Sequence, residues 1–588
     1  MNKENNSSGI LKPAIFFISG LTFIFLSVYF GTVTPGGIFG VHLLSVVLMG
    51  LWILKMLHER ECIFKKSFLF FPILLFIILL FHSRFFSIYI YSTKVVFLNY
   101  LSYFFVYCVF INTLSDNDIK RLIRLLVIIS VGVSLFGLLC YFFKKYELFF
   151  YTKLFYKDRL NATFVNPNHF ACYLNFMIPC TLFFFIASKG IKRILFLSAL
   201  MILFVSLVLT FSHSGIIAFF IGILYFMLTA IRKRLLQKRY IFPFVLLFIF
   251  SAVIFVIYKF STVNTHLELK KIFSYGSHWL LWKGCLSLLS YNVLNSPLTF
   301  LTGCGLGNFA FVYNTFHPIL TLNFYEYAHN DYLQILIEIG LTGILIFMLI
   351  FISVMRAGIR QIESTDRESI LLQLAVKTSL IAYFIHLLFD FNFYITANSL
   401  LFFSFLAFLD VFSINSFIKL RWKLSFIVFL TFIAAFLLGQ SFCSFSSRLL
   451  TNRAISLVHQ GDFDKSHSFF KRALWLNTLN AEIYYECGEM FFYRAQKEVN
   501  VNKSYNFINE AQTYFDKAIS INPNDARYYI RLADLKIYLN DMKGAEENLN
   551  EVERLAPNFI LYRLKKIQFY LGKPNQQYDK ASDELNFL

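Results

Sequence analysis

The sequence has 588 residues, of which 57% are hydrophobic, 19% aromatic and 15% charged, with a mean hydropathy of +0.61. Soluble domains carry about a quarter charged residues, so most of this chain belongs in a bilayer, and 76 Phe with 11 Pro and 25 Gly exclude a disordered or collagen-like chain. The net charge of +20 is no nucleic-acid footprint: from Ser446 onward 19 Lys and Arg face 18 Asp and Glu, so the surplus sits between the apolar runs, where membrane topology places basic residues.

Runs able to cross about 30 Å of hydrocarbon as a helix fall at 13–31, 36–55, 67–82, 94–111, 122–143, 169–188, 191–210, 214–231 and 240–258. After a long break come 331–355, 370–389, 395–414 and 422–443. Only helices satisfy such runs internally in lipid short of a closed barrel, so the expected fold is an all-α polytopic membrane protein with 12–13 spans. With Lys3 and Lys12 in the cytoplasm, the inner connections hold Lys55, Arg60, Lys65, Lys66, then Lys120, Arg121, Arg124, then Lys189, Lys192, Arg193 and the Arg232–Arg239 cluster. That assignment gives roughly 23 basic residues inside against roughly 11 outside. The 259–330 connection then faces outward, and thirteen spans carry the C-terminal tail to the same side. The first run lacks a small-residue cleavage site and reads as an uncleaved span.

The domain division expected is 1–445 for the membrane part and 446–588 for a soluble tail. In the tail, Ala511, Phe515, Ala518 and Pro523 recur 34 residues later as Ala545, Leu549, Val552 and Pro557. Phe470, Ala473 and Gly488 fit the same frame, with an insertion around 500–510. A 34-residue helix–turn–helix period is the tetratricopeptide pattern, in which small residues let paired helices pack closely. Such a stack serves either as a docking surface for a protein partner or as a stabilising appendage.

No Walker loop, HExxH or dinucleotide fingerprint is present, so nothing in the sequence calls for a cofactor or a metal. The nine Cys show no metal-ligand spacing; Cys285 and Cys304 share the outer loop, a compartment that permits a disulfide. Gly303-Cys304-Gly305-Leu306-Gly307-Asn308-Phe309 is either a ligand-approaching turn or a bend. Further on, Ala328-His329-Asn330-Asp331 opens a helix whose Asp331, Gln334 and Glu338 form one polar stripe on an apolar span. His329 sits at its outer start, either as a base for a hydroxyl proton or as a cap. A second outer cluster runs from Arg159 through Asn161, Asn166, Pro167 and Asn168 to His169, where a guanidinium suits either a phosphate oxyanion or a lipid headgroup. Ser212-His213-Ser214-Gly215 forms a short outer connection, and His386 and Asp390 stand at i, i+4 near the outer end of another span, as a structural pair or as cavity lining.

Together these blocks resemble the O-antigen ligase and polymerase superfamily of bacterial envelope proteins. Arg159 to Asn168 is similar to its Arg…Phe-x-Asn-Pro-Asn. Gly303 to Phe309 is similar to its Gly-x-Gly-x-Gly-Asn-Phe, and His329-Asn330 with Gly340-x-x-Gly343 to its His-[Asn/Ser/Gln]-x9-Gly-x-x-Gly. The tail resembles tetratricopeptide tails on some members. The resemblance implies a metal-independent transferase in the bacterial inner membrane, with cytoplasmic N-terminus and periplasmic repeats. Its donor would be a glycan on undecaprenyl pyrophosphate, and its acceptor a hydroxyl on lipid A–core, on another glycan or on a protein. By the same carry-over His329 activates the acceptor and Arg159 contacts the pyrophosphate or the glycan, while Asn166, Asn168, His213, His278, Lys283, Gly305, Gly307, Asn330 and Asp331 line the substrates. Three positions depart from the family: His213 stands in its Ser-Arg-x-Gly step, His278 where Arg is common before the loop Trp, and Ile344 where Thr is frequent after Gly343. The leading expectation is a ligase, with a polymerase or a protein O-oligosaccharyltransferase as alternatives. A transporter or lipid flippase, or a non-catalytic envelope scaffold, are the more distant ones.

Overall fold

The computed structural model describes residues 8–29, 33–60, 63–65, 67–143, 158–236, 277–322, 324–358, 367–413, 417–419, 423–572 and 577–587. Apart from a three-residue antiparallel strand pair, Ile63–Lys65 with Phe417–Lys419, the described secondary structure is helical.

Eleven of these helices are long and apolar enough to cross a membrane: Ile10–Val28, Pro35–Glu59, Ile90–Thr113, Asp116–Phe143, Pro167–Ala187, Gly190–Leu209, His213–Arg232, Asp331–Arg356, Arg367–His386, Thr396–Ser413 and Leu424–His459. Each answers to an expected span. The expected run at 240–258 lies outside the described residues. The run at 67–82 differs: a 13-residue helix, Phe70–His82, passes into a 3-10 turn, Ser83–Phe86. At 1.5 Å per residue its α-helical part is only about 20 Å long. Its start is delayed because Ser67 accepts the Phe70 amide (2.9 Å) and is itself held by the buried Asp410, whose carboxylate also takes Tyr107.

Thr396–Ser413, Arg367–His386 and Pro167–Ala187 are the most enclosed helices, while Gly190–Leu209 exposes Ile191, Ile194 and Leu195. An exposed aliphatic flank on a peripheral helix is what a lipid-facing surface requires. Four helix starts meet at one end of the bundle: Pro167, His213, Asp331 and Thr396. Three have sequence-legible caps. Asn166 accepts from the Asn168 amide with Pro at the first helical position, Ser212 accepts from the Gly215 amide, and Asn330 from the Leu333 amide.

The last membrane helix continues without interruption from Lys423 to His459, so the boundary expected at 445–446 falls inside a helix. Beyond it Phe463–Leu476, Ala481–Lys497, Val501–Ile521, Ala526–Tyr538, Met542–Leu555, Ile560–Leu571 and Tyr578–Phe587 stack in antiparallel pairs. The repeat positions behave as the period requires: Phe470, Ala473, Ala511, Phe515, Ala518 and Ala545 are fully buried. At Gly488 an added Cβ would meet the Phe515 ring at 2.6 Å. The extra residues near 500–510 are taken up in the 17- and 21-residue helices on either side. Cys285 and Cys304 are both unbonded and lie in one buried apolar cluster with Tyr313 and Ala328.

Candidate active site

His329 stands immediately before the cap of the Asp331–Arg356 helix, with φ +47°. A non-glycine residue in the left-handed region costs about 1–2 kcal/mol, so its surroundings must hold it there. They do so from several directions. The Asp331 amide donates to the Leu387 carbonyl (2.9 Å), and the Trp282 indole donates to the Ala328 carbonyl (3.1 Å). The Ala328 amide donates to Gln334 Oε1 (2.9 Å).

The imidazole is about one-third exposed, and its Nδ1 lies 3.6 Å from Oδ1 of the fully buried Asp390. Nδ1 is itself buried and has no closer polar partner. Asp390 also takes the Phe391 amide (2.9 Å) and the Asn392 side-chain amide (3.4 Å), and His386 Nε2 sits 3.9 Å from its other oxygen. Burial alone would push the Asp390 carboxyl up, but its pairing with His329 and the nearby His169 and His386 rings outweigh burial. They hold it well below the usual carboxylate range. A fixed negative charge beside Nδ1 orients the ring and leaves Nε2 as the acceptor of a proton from outside.

Two rings meet His329. Phe391 meets it edge-on at 4.8 Å, with Tyr327 stacked on Phe391 at 4.3 Å. His278 meets it at 4.7 Å and 70°. Burial, with His329 next to it, draws the His278 imidazole below its ordinary value, so at neutral pH it is an uncharged donor or acceptor. Lys283 lies further along the same Ser277–Asn295 helix with an exposed side chain.

Phe391 also bridges to the second cluster, since its far contact is His169, edge-on at 5.0 Å. His169 is buried and its Nε2 is unpartnered. Beside it, Asn168 Oδ1 receives Arg159 Nη2 (2.6 Å), while Arg159 Nε donates to the Thr210 carbonyl (2.7 Å). The guanidinium is thus half-buried and fixed between the Asn166-Pro167-Asn168 turn and the end of the Gly190–Leu209 helix. His213, three residues after Thr210, is exposed at the first position of its helix. Below it Ser214 Oγ pairs with His386 Nε2 (3.0 Å) and with Ser212 Oγ (3.1 Å), so the His329–Asp390–His386 line ends beside the Arg159 anchor.

The glycine loop is placed differently from the residues around His329. The Asp331–Arg356 helix breaks at Gly340 (φ +77°), which leaves the Ile337 and Glu338 carbonyls without their helical donors. The Cys304 and Gly305 amides fill those vacancies at 3.1 and 2.9 Å. The Glu338 carboxyl receives the Gly307 and Phe309 amides (2.6 and 3.1 Å), the Tyr394 hydroxyl (2.6 Å) and Gln334 Nε2 (3.2 Å). Gly305 and Gly307 therefore spend their amides on the helix that carries His329 rather than presenting them outward. Asn330 is a cap, and Asp331, fully buried, takes the Phe393 amide (2.9 Å). Sequence reasoning named His329, Arg159 and His278. It set Asp390 with His386, as a structural pair or as cavity lining, and did not single out Phe391, because neither lies near His329 in sequence.

Among the described residues no cluster of three or more His, Cys, Asp or Glu has a metal-binding arrangement. Residues 196–348 match the family model described as O-antigen ligase, and residues 526–559 match a tetratricopeptide-repeat model. The first match includes His213, His278, the glycine loop and His329, and it lies between Arg159 and Asp390. No curated protein matches the chain.

Proposed function

We propose that this protein is a membrane glycan transferase of the O-antigen ligase kind, moving a glycan from a polyprenyl pyrophosphate to an acceptor hydroxyl. The observation that carries the reading is the His329–Asp390 pair, which reaches through Phe391 to His169, the residue next to the Asn168 that holds Arg159. A base and a guanidinium from distant stretches of chain stand at one end of an apolar helical bundle. The acceptor O–H gives its proton to His329 Nε2 as its oxygen bonds to the anomeric carbon of the donor. The bond from that carbon to the pyrophosphate oxygen breaks, and the charge stays on the leaving group. Arg159, the exposed Lys283 and the four helix starts, each worth roughly half a positive charge, favour that developing anion. Asp390 keeps the imidazole ring oriented and balances the imidazolium.

The carrier is undecaprenyl pyrophosphate and the acceptor lipid A–core in this reading, with the N-terminus cytoplasmic and the site and repeats at the outer face of a bacterial inner membrane. The basic inner connections support that orientation. The test is complementation of a deletion strain, read by lipopolysaccharide gel. Wild type restores core-bound polymer, and His329→Ala leaves polymer on the carrier. Core bearing a single repeat in the deletion strain would mean polymerase, and unchanged lipopolysaccharide with lost protein glycosylation would mean a protein acceptor. Equal complementation by His329→Ala would end the enzymatic reading.

A further inference from the structure

The repeat tail is not a free arm. Its inter-repeat turns all face the membrane part, at the end where His329 stands. At the first, Asn477 Oδ1 receives Lys94 Nζ (3.3 Å), and the Ala481 amide donates to Tyr89 Oη (3.0 Å), which points to Asn480. Past the second turn, Tyr528 packs with Tyr89 and Phe311. At the third, the chain forms a parallel bridge with the outer loop: the Thr321 amide donates to the Asn558 carbonyl (2.8 Å) and the Ile560 amide to the Thr321 carbonyl (3.0 Å). Asn558 Nδ2 adds a bond to the His317 carbonyl (2.6 Å), Thr315 Oγ1 one to the Leu555 carbonyl (3.0 Å), and Phe324 meets Phe559 edge-on.

The gripped segment leads straight to the base. Between the 3-10 turn at Asn314–Phe316 and the Asp331–Arg356 helix the described residues form no helix of their own, so their conformation depends on their neighbours. His317 stacks on Tyr325 (4.9 Å, 15°), which also touches Tyr313, and the Tyr325 amide reaches Asn314. Four residues on is His329 in its left-handed conformation. Trp282, Gln334 and Leu387 hold the backbone at Ala328–Asp331, and the Ala556–Ile560 turn adds a second set of holds on the stretch that leads to it.

We propose that the tetratricopeptide tail is a working part of the active site, with Asn558 and the Thr321 bridge acting as positioning elements that hold the 314–328 segment and, through it, His329. This rests on the reading of His329 as the base. Whatever loosens the third turn, including a partner bound across it, then lowers turnover without touching the donor site.

The test uses the full-length protein in membranes of a deletion strain. In Asn558→Ala, hydrogen exchange should rise over 314–330 and stay unchanged over 396–413. The rate of transfer should fall about tenfold, as for a base displaced by a fraction of an ångström, with the donor KM little altered. A Thr321→Cys/Phe559→Cys pair, placed at the bridge partners, should restore the rate in the Asn558→Ala background when oxidised and lose it when reduced. Raised exchange with undiminished transfer overturns the positioning role, and so does failure of the oxidised pair to rescue. Unchanged exchange over 314–330 overturns the brace itself. Exchange reads the seam independently of chemistry, so a wild type without glycan transfer would sink the transferase reading first and be recognised as such.

Discussion

Glu338 and Gly307 are joined by a 2.6 Å bond from the glycine amide to the carboxyl, fastening the glycine loop to the helix that His329 precedes. All four polar partners of that carboxyl are donors: two backbone amides, the Tyr394 hydroxyl and the Gln334 side-chain amide. A carboxylate, which only accepts, suits the site better than any isostere. In Glu338→Gln an NH2 group would face N–H or O–H donors and leave at least one buried donor unpaired, which costs about 1–3 kcal/mol. The thermal midpoint of the detergent-purified protein should fall, and protease should cut within 303–313 before the spans. An unchanged midpoint would contradict this account of the loop.

The backbone contact behind that bond gives a sharper comparison. At Gly303 an added Cβ would sit 2.2 Å from the Glu338 carbonyl oxygen, and at Gly340 2.3 Å from the Leu301 carbonyl oxygen; both have positive φ. Neither neighbour can move without opening the loop, so Gly303→Ala and Gly340→Ala should each cost about 3 kcal/mol or more, clash adding to backbone strain. Gly132 lies mid-helix with nothing within 4 Å of its would-be Cβ. Gly132→Ala should be neutral or slightly stabilising. The yield of folded protein in mild detergent, measured by size-exclusion chromatography, separates the three.

At Asp390 the prediction concerns rate and pH. Its folded value lies below the unfolded one, so the stability it contributes is present above the ordinary carboxylate range. That stability is lost as the pH drops through the folded value, which puts the window below about pH 4. Between pH 5 and 8 its charge is constant, and any inflection in the rate there belongs to other groups. Asp390→Asn keeps the shape but removes the charge that orients the ring and balances an imidazolium. Transfer should fall about 10²- to 10⁴-fold, while His329→Ala/Asp390→Asn should be no worse than His329→Ala alone. Multiplying losses in the double variant would show that the two residues act separately.

What could be read from the sequence was whatever is written locally. Asn166-Pro167, Ser212 and Asn330-Asp331 are helix starts spelled in consecutive residues, and Ala511 with Ala545 is a period. The apolar runs gave their spans because lipid leaves the backbone no other choice. The Phe70–His82 helix came out short because Ser67 is capped by Asp410, 343 residues away. Asp390 is 61 positions from His329 and four from His386, so spacing pointed to the His386 side of the carboxylate and not to the His329 side. The glycine loop looked ready for a ligand because glycine licenses any close approach. That its neighbour is the broken Asp331–Arg356 helix depends on a fold that no local pattern encodes. The grip of Asn558 on His317 and Thr321 belongs to the same class.

The far end of the tail offers a test away from the membrane. Arg563, only 8% exposed, pairs with Glu584 (2.7 Å) and Glu553 (2.9 Å), and its guanidinium lies 3.7 Å from the Phe587 ring centroid. Lys566 adds Glu584 (3.0 Å) and Glu553. These contacts fix the Tyr578–Phe587 helix, which at ten residues is too short to persist alone. Burial would raise the Glu553 carboxyl, but Lys566 and Arg563 more than offset it and hold it below its usual value. Its stabilising share is therefore present above about pH 4.5 and lost as the pH falls through the folded value. Removing one partner of a buried pair costs about 3 kcal/mol, so Arg563→Ala should release the final helix. Protection from hydrogen exchange over 577–587 should be lost in Arg563→Ala at pH 7, and in the wild type should decline, relative to the intrinsic rate at each pH, only as the pH is lowered below about 4.5. Exchange over 526–555 should hardly change in either case, because Ala545, Leu549 and Val552 keep their own packing. Fast exchange spreading through that segment would mean the repeats unfold as one unit and that the final helix is not the local element its contacts describe.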